Sequence, residues 1–276
     1  MRTDNEKGMV ITMNILEKIA ARTNKRVEEQ KKILPLDKLM EKACTESENT
    51  KHDFPFEKAL RSDDMAFICE VKRASPSKGI IAEDFPYVDI AKDYELAGAA
   101  AISVLTEPYY FKGDDQHLRE IANNVSIPLL RKDFTVDEYM IYEAKLLGAS
   151  AVLLICAILD EETLKKYLAI AHSLGLSVLV EAHTEAEVKM ALNAGARIIG
   201  VNNRNLKTFE VDIALSNRLR KMVPQDIIFV SESGIRTADD VEDLRKNNVD
   251  AVLVGETLMR SPDKKVALAD LRGKAL

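Results

Sequence analysis

Short apolar runs alternate with longer stretches of helical period from Ala66 to the end of the chain. Because parallel strands need a crossover between them, this alternation is typical of a sheet built from βα units. Eight runs follow the pattern, over residues 66–72, 100–105, 127–132, 151–156, 177–181, 197–202, 227–232 and 250–254. They predict an α/β fold, a TIM (β/α)8 barrel. An open, doubly wound sheet is the alternative, but no run is followed by a G-x-G-x-x-G motif.

The turns that precede these runs repeat a common pattern. A Gly stands just before a predicted strand at Gly98, Gly148 and Gly195. Gly adopts the left-handed conformation that ends a helix, so the recurrence marks the same helix-to-strand turn. Asn248, the usual substitute for Gly, precedes the last run. The repeat supports a barrel of regular βα units.

The residues ahead of the barrel predict extra N-terminal helices within 13–61. One side of a charged helix carries Ile15, Leu16, Ile19, Thr23, Val27 and Gln30, and Pro35 opens a second helix over 36–44. We expect these helices to cover the bottom or the top of a barrel over 66–276. Residues 45–52 are polar and predict a flexible connection, and residues 1–12 are expected to be an extension. The whole chain, 1–276, is expected to form a single domain.

Composition narrows the functional classes. Acidic side chains outnumber basic ones by 45 to 39, so the chain lacks the broad basic surface of a nucleic-acid-binding protein. No apolar run reaches membrane-spanning length, and the N-terminus has no apolar signal core. The Cys and His residues share no metal-ligand spacing. We therefore expect a cytoplasmic protein with no metal, membrane or nucleic-acid partner.

Charged and polar side chains stand at the ends of the predicted strands, where the active sites of TIM barrels lie. The first strand ends in Glu70 and Lys72, the third in Lys132, the fifth in Glu181 and the sixth in Asn202, with Arg204 just beyond. A single charge there reaches solvent or forms an ion pair. Several ammonium and carboxylate groups at one mouth are costly to bury, and their pairing moves their pKa values into a range useful for catalysis. The set predicts an acid–base site, with Lys as acid and Glu as base.

The seventh and eighth runs are followed by short Gly motifs, Ser233-Gly234 and Gly255-Glu256. In many barrels these two loops bind phosphate, because Gly lets backbone N–H groups approach an anion at the start of a short helix. Each motif alone is a common turn. Together they predict a phosphate site formed by Gly234, Gly255 and the amide of Glu256.

One specific motif spans residues 67–79, where E-x-K is followed by S-P-S. Further motifs stand at 130–134, 180–183, 201–206, 231–235 and 255–259. Together, and in this order, they resemble the motifs of the indole-3-glycerol-phosphate synthase family. The resemblance implies a carboxy-lyase of tryptophan biosynthesis, which converts 1-(2-carboxyphenylamino)-1-deoxyribulose 5-phosphate into indole-3-glycerol phosphate, carbon dioxide and water. Glu256 stands where some relatives have Ser, which leaves only its amide for the phosphate.

The resemblance also implies roles at the barrel mouth. Lys132 is the expected acid in ring closure, and Glu181 is the expected base in dehydration. Lys72 meets the substrate carboxylate, and either lysine is the second acid. The other expected site residues, which hold the lysines or bind substrate, are Glu70, Asn202, Ser75, Arg204 and Ser233. A base at Glu181 predicts an acidic limb in the pH–rate profile that Glu181→Gln removes.

No cofactor is expected, because the iminium formed on ring closure is itself an electron sink. The expected partner is the small-molecule substrate. The sequence leaves open whether the chain is a monomer and whether it associates with other tryptophan-pathway enzymes.

Two alternative functions stay open. Phosphoribosylanthranilate isomerase is another phosphate-binding barrel with similar loops, but it uses a Cys/Asp pair and does not need the E-x-K and S-P-S segments. A non-catalytic sugar-phosphate sensor is the other alternative. A sensor does not need two Lys and two Glu side chains close together, and removing these charged groups from water costs free energy.

Other conspicuous side chains predict no chemistry. We interpret Cys69 and Cys156 as core thiols, and His183 as a polar group at a helix start. Phe111 and Phe134 follow strands two and three and either pack the loops or flank the aromatic substrate.

Overall fold

The eight predicted strands close into a parallel barrel in the computed structural model, which describes residues 13–48, 52–62, 64–205 and 208–273. The strands are β1 (Ala66–Val71), the short β2 (Ala74–Ser75) and β3 (Gly79–Ile80), β4 (Ala101–Leu105), β5 (Leu129–Lys132), β6 (Ala151–Ile155), β7 (Ser177–Ala182), β8 (Ile198–Asn202), β9 (Ile228–Glu232) and β10 (Ala251–Val254). β2 and β3 form a separate hairpin, and β1 pairs with both β4 and β10, which closes the barrel. The predicted TIM barrel is confirmed, and the open-sheet alternative is wrong.

The predicted helices ahead of the barrel are present as α1 (Ile15–Ile33), α2 (Leu36–Glu48) and α3 (Pro55–Leu60). α1 begins at a capping box in which Asn14 and Glu17 satisfy each other's backbone N–H groups. α2 runs beyond its predicted end, so the flexible connection expected from residue 45 is wrong over 45–48. Ser47 is buried one turn after Ala43, so the apolar face of α2 continues through this polar stretch. Residues 1–12, the expected extension, lie outside the described residues.

Two of the extra helices lie at opposite ends of the barrel, whereas α2 packs in the outer layer beside the helix that follows β5. Leu16 and Ile19 of α1 join the apolar cluster of the barrel interior together with Phe134, at the carboxyl ends of the strands. Phe56 and Leu60 of α3 join the same cluster among the residues that begin the strands. α1 therefore covers the top of the barrel and α3 closes its bottom.

The barrel strands are connected by helices that pack on the outside. They are α4 (Tyr87–Leu96), α5 (Asp115–Ala122), α6 (Tyr139–Leu146), α7 (Glu161–Ser173), α8 (Glu185–Asn193), α9 (Ala214–Arg220), α10 (Ala238–Lys246), α11 (Glu256–Arg260) and α12 (Lys264–Leu271). Gly98 and Gly148 have φ values of +82° and +85°, and Asn248 has 58° at the equivalent turn, which confirms the predicted repeat. Within the described ranges, no helix is long and apolar enough to cross a membrane.

Side chains alternate between the barrel interior and the helix layer along each strand. On β5, Leu130 lies in the interior cluster. Lys132, two residues later, therefore ends the inner face of β5 at the mouth, whereas Arg131 faces the helices. The same alternation places Glu70 and Glu181 on the inner faces of β1 and β7.

Arg131 is the centre of a buried ion network on the helix side. Its Nη2 lies 2.6 Å from Asp115 Oδ1, 2.7 Å from Glu143 Oε2 and 3.9 Å from Asp133 Oδ2. Arg26 of α1 reaches Asp133 at 2.8 Å. The network ties α1 to the end of β5.

We expect Arg131→Met to lower the free energy of unfolding by about 3–5 kcal/mol, because it leaves buried carboxylates without their cation. Urea denaturation measures this loss. The exposed Arg119 of α5 is the matched control, and Arg119→Met should stay within about 0.5 kcal/mol of wild type. An unchanged unfolding energy for Arg131→Met would show that the network contributes nothing to stability.

Candidate active site

The carboxyl ends of the barrel strands open into a cavity of about 630 Å³. Every predicted site residue lines it, namely Glu70, Lys72, Ser75, Lys132, Glu181, Asn202, Arg204, Ser233, Gly234, Gly255 and Glu256. The fold thus brings the acid–base set and both Gly motifs to one place. Their individual roles stay predictions.

Two ammonium groups and three carboxylates form the charged centre of the cavity. Lys132 Nζ lies 3.2 Å from Glu232 Oε2 and 3.5 Å from Glu181 Oε2. Lys72 Nζ donates a hydrogen bond to Glu70 Oε1. All three carboxylates are buried. Each carboxylate therefore lies beside an ammonium group, which favours its ionised form, and near other carboxylates, which disfavour that form.

Burial and charge shift the pKa values of this centre in different directions. Burial lowers the pKa of the Lys132 ammonium, but the surrounding carboxylates outweigh it and raise that pKa well above its ordinary value. Burial raises the pKa of Glu181, but Lys132 and His183 outweigh it and lower the pKa to about 2. For Glu232, burial together with the Glu181 carboxylate outweighs Lys132 and raises the pKa to about 7. Glu181 is therefore ionised at neutral pH, and Glu232 exchanges a proton there.

Glu232 is a site residue that the sequence analysis above does not select. It ends β9 two residues after Val230, which lies in the barrel interior. The alternation that selects Glu181 also selects Glu232. Glu232 stands directly before the Ser233-Gly234 motif, and the predicted phosphate role of that motif accounted for this strand end.

Asn202 connects the carboxylate centre to the next loop. Its Nδ2 donates to Glu181 Oε1 at 3.2 Å, and its Oδ1 accepts from the backbone N–H of Arg204 at 3.0 Å. The Arg204 side chain donates to the carbonyl of Phe209 at 3.3 Å and lines the cavity. This geometry suits the predicted hydrogen-bonding role of Asn202.

Gly234 has φ of +88°, and a Cβ there would lie 2.5 Å from Val211 Cγ1. The position therefore requires Gly for steric reasons as well as for any anion. A substitution such as Gly234→Asp would strain the loop, and its effect on phosphate binding would be mixed with an effect on folding.

Gly255 lies against the Glu70–Lys72 pair, and a Cβ there would sit 2.8 Å from Lys72 Nζ and closer still to Glu70 Oε1. We expect Gly255→Ala to displace this pair and lower kcat by about 10²-fold, since small misplacements of reacting groups have effects of that size. Steady-state kinetics at a temperature where the variant is folded measures the loss. A raised KM with unchanged kcat would show that Gly255 serves the phosphate alone.

The Glu256 carboxylate is balanced by nearby cations. Its Oε1 accepts from Arg260 Nε at 3.0 Å and lies 4.0 Å from Lys78 Nζ. Lys78 and Arg236 also line this part of the cavity, and neither was selected from sequence. A Glu beside the predicted phosphate site is thus compatible with an anion, because these cations offset its charge.

An apolar wall faces the charged centre. Phe111 and Phe134 both line the cavity, and their ring centroids are 6.0 Å apart. Leu153 and Ile155 continue the wall from the barrel interior. Such a surface suits an aromatic ring in the ligand. Among the residues that the structure describes, no group of His, Cys, Asp and Glu is placed to hold a metal ion.

The fold and the cavity define the class of the protein, a TIM-barrel enzyme whose mouth holds paired Lys and Glu side chains. The family model for indole-3-glycerol phosphate synthase matches residues 16–271, and the chain belongs to this family. The resemblance found in the sequence motifs is confirmed.

Similar proteins cover nearly the whole chain. An indole-3-glycerol phosphate synthase of Ruminiclostridium cellulolyticum is 62% identical over 261 residues, which are 95% of this chain and 100% of that protein. One of Endomicrobium trichonymphae is 54% identical over 260 residues, 94% of this chain and 99% of its own. Among solved structures, 3-hexulose-6-phosphate synthase from Salmonella typhimurium has a TM-score of 0.63 at 15% identity, over 76% of this chain and 97% of that one. This structural likeness concerns the fold alone.

Proposed function

We propose that this chain converts 1-(2-carboxyphenylamino)-1-deoxyribulose 5-phosphate into indole-3-glycerol phosphate, carbon dioxide and water in the cavity at the barrel mouth. The observation that carries the proposal is the Lys132 ammonium held between Glu181 and Glu232, beside the Lys72–Glu70 pair. Membership of the family supports the same reaction.

Lys132 is the acid of ring closure in this proposal. The aromatic carbon that bears the carboxylate attacks the ketone carbon, and the ketone oxygen becomes an alkoxide. The raised pKa keeps the Lys132 ammonium charged, and the alkoxide is basic enough to accept its proton. The new carbon–carbon bond leaves the ring nitrogen as an iminium.

The iminium then accepts the electron pair released when the carboxylate leaves as carbon dioxide. Loss of the carboxylate restores the aromatic ring, so this step requires positioning more than proton transfer. Lys72, partly exposed on the inner face after β1, is the proposed partner of the substrate carboxylate before it leaves. The wall of Phe111 and Phe134 would hold the aromatic ring.

Dehydration completes the indole ring. Glu181, ionised because Lys132 and His183 overcome its burial, removes the proton from the carbon next to the nitrogen. Lys72 or Lys132 protonates the departing hydroxyl. Glu232, which is ionised above its raised pKa of about 7, is placed to take up a proton through Lys132.

The raised pKa of Glu232 predicts the pH dependence of the reaction. Below pH about 7 Glu232 is protonated and cannot take up a further proton, so kcat/KM should rise as the pH increases through about 7. Glu181, with a pKa of about 2, does not titrate there, so the acidic limb that we assigned to it belongs to Glu232. We expect Glu232→Gln to remove this limb between pH 5.5 and 9. The exposed Glu83 is the control, and Glu83→Gln should keep it. A limb that persists at the same pH in Glu232→Gln would contradict the assignment.

Incubation of the purified protein with the carboxyphenylamino substrate tests the proposed function, because indole formation is followed by fluorescence. Product formation supports the proposal. Turnover of phosphoribosylanthranilate instead would favour the isomerase alternative, and binding without turnover would favour a sensor. The isomerase alternative lacks the Cys of its Cys/Asp pair here, because Cys44, Cys69 and Cys156 are all described and none lines the cavity.

A further inference from the structure

His183 follows β7 directly, and its imidazole lies between two carboxylates. Nε2 is 3.3 Å from Glu181 Oε1, and Nδ1 makes a hydrogen bond of 3.2 Å with Glu187 Oε2. The backbone N–H of His183 donates to the same Glu187 oxygen at 2.7 Å. The imidazole is 14% exposed. Glu187, in the first turn of α8, therefore fixes both the backbone and the ring of His183.

The charges around this imidazole indicate that it carries two protons. Both ring nitrogens face carboxylate oxygens, which only accept hydrogen bonds when ionised. Cys156, after β6, lies against Glu187, and its Sγ donates to the Glu187 carbonyl at 3.6 Å. Burial raises the pKa of this thiol to about 12, so it stays neutral. Burial lowers the pKa of His183, but Glu181 and Glu187 outweigh it and raise the pKa to about 10.

The two oxygens of Glu181 have different partners. Oε1 lies 3.3 Å from His183 Nε2, an ion-pair contact without well-directed hydrogen-bond geometry, and accepts from Asn202 Nδ2 at 3.2 Å, whereas Oε2 lies 3.5 Å from Lys132 Nζ. Glu232, on the other side of Lys132, has no comparable support. In the described structure neither of its carboxylate oxygens accepts a well-directed hydrogen bond, and Lys132 is its ion-pair partner.

We propose that His183, anchored by Glu187, is a positioning residue that turns Glu181 Oε2 toward Lys132 and places the negative charge on Glu181 rather than Glu232. His183 does not touch the reacting atoms and acts through Glu181. The pair of carboxylates thereby divides into one ionised base and one proton exchanger. This role goes beyond our interpretation of His183 as a polar group at a helix start. The proposal rests on the proposed function for its kinetic test.

Removal of the imidazolium should make protons harder to remove from the carboxylate pair. We expect the acidic limb of kcat/KM in His183→Asn to move upward by about one pH unit, since a cation at this distance lowers a carboxyl pKa by about 1–3 units. kcat/KM at pH 7 should fall by about fivefold and recover largely by pH 9, with KM little changed. Glu187→Gln should move the limb in the same direction by less, because its amide still accepts from Nδ1 but no longer supplies the charge.

His172 provides the matched control, since it is also partly buried but packs against Phe54 with ring centroids 5.8 Å apart, and it does not line the cavity. His172→Asn should leave the pH profile unchanged. Nitrogen-15 NMR of the substrate-free wild-type protein tests the imidazolium without turnover, and both His183 nitrogens should be protonated at pH 8. This measurement decides the inference even if the wild type makes no product.

A neutral His183 imidazole at pH 8 would overturn the proposal. So would an active wild-type enzyme whose acidic limb is unmoved in both His183→Asn and Glu187→Gln. A loss of thermal stability in His183→Asn with an unchanged limb would likewise assign His183 a structural role only.

Discussion

Lys132→Met lowers kcat by about 10²–10⁴-fold, the contribution typical of a general acid. Met has nearly the shape of Lys but carries no proton to donate to the alkoxide. The variant leaves Glu181 and Glu232 facing each other without their shared cation. One of them then takes up a proton, which limits the cost to folding. Steady-state kinetics at a temperature where circular dichroism shows folded protein measures the effect.

Arg131 provides a comparison for this test, because it is the neighbouring cation but lies on the opposite face of β5, in a separate ion network. Arg131→Met should lose stability and keep kcat, whereas Lys132→Met should lose kcat while it is still folded. If Lys132→Met kept a kcat within a few-fold of wild type and lost only thermal stability, Lys132 would be a structural ion-pair member.

Glu181→Gln should lower kcat by a similar factor, about 10²–10⁴-fold. Gln keeps the size and one acceptor of Glu181 but cannot take a proton in dehydration. It also removes the negative charge that Lys132 and His183 both face. Rapid-quench analysis should find a decarboxylated intermediate that still carries its hydroxyl.

Glu185→Gln is the matched control for this variant, because Glu185 is exposed in the first turn of α8 and does not line the cavity. At pH 9, above the expected limb in every variant, its kcat should be close to wild type. A Glu181→Gln variant that also turned over normally at pH 9 would move the base to another residue, and Glu70 would be the first to examine.

The barrel was predictable from sequence because its signals are local. Buried parallel strands are continuously apolar, and each helix-to-strand turn needs a left-handed residue such as Gly148 or Asn248. All eight strands lie within two residues of the predicted runs. The end of α2 was not predictable in the same way, because the polar Ser47 is buried by its position on the helix face.

The sequence predicts which strand-end residues line the candidate site, but it does not predict which of them carry a proton. Side chains alternate between the two faces of a strand, and this rule places Lys132, Glu181 and also Glu232 on the inner face of the barrel. Which carboxylate holds a proton depends on distances between residues far apart in the chain. The contact of His183 with Glu181 makes the two carboxylates unequal, and the orientation of that ring follows from Glu187 on the next helix.

Release of carbon dioxide in a single turnover tests the central claim most directly, because ring closure must precede decarboxylation if Lys132 is its acid. The substrate would carry carbon-13 in its carboxylate, and labelled carbon dioxide and indole-3-glycerol phosphate would be measured together. The wild type should release one carbon dioxide for each indole product, and Lys132→Met should be slowed in both by about 10²-fold or more. Carbon dioxide released by Lys132→Met at the wild-type rate, without the indole product, would contradict the account.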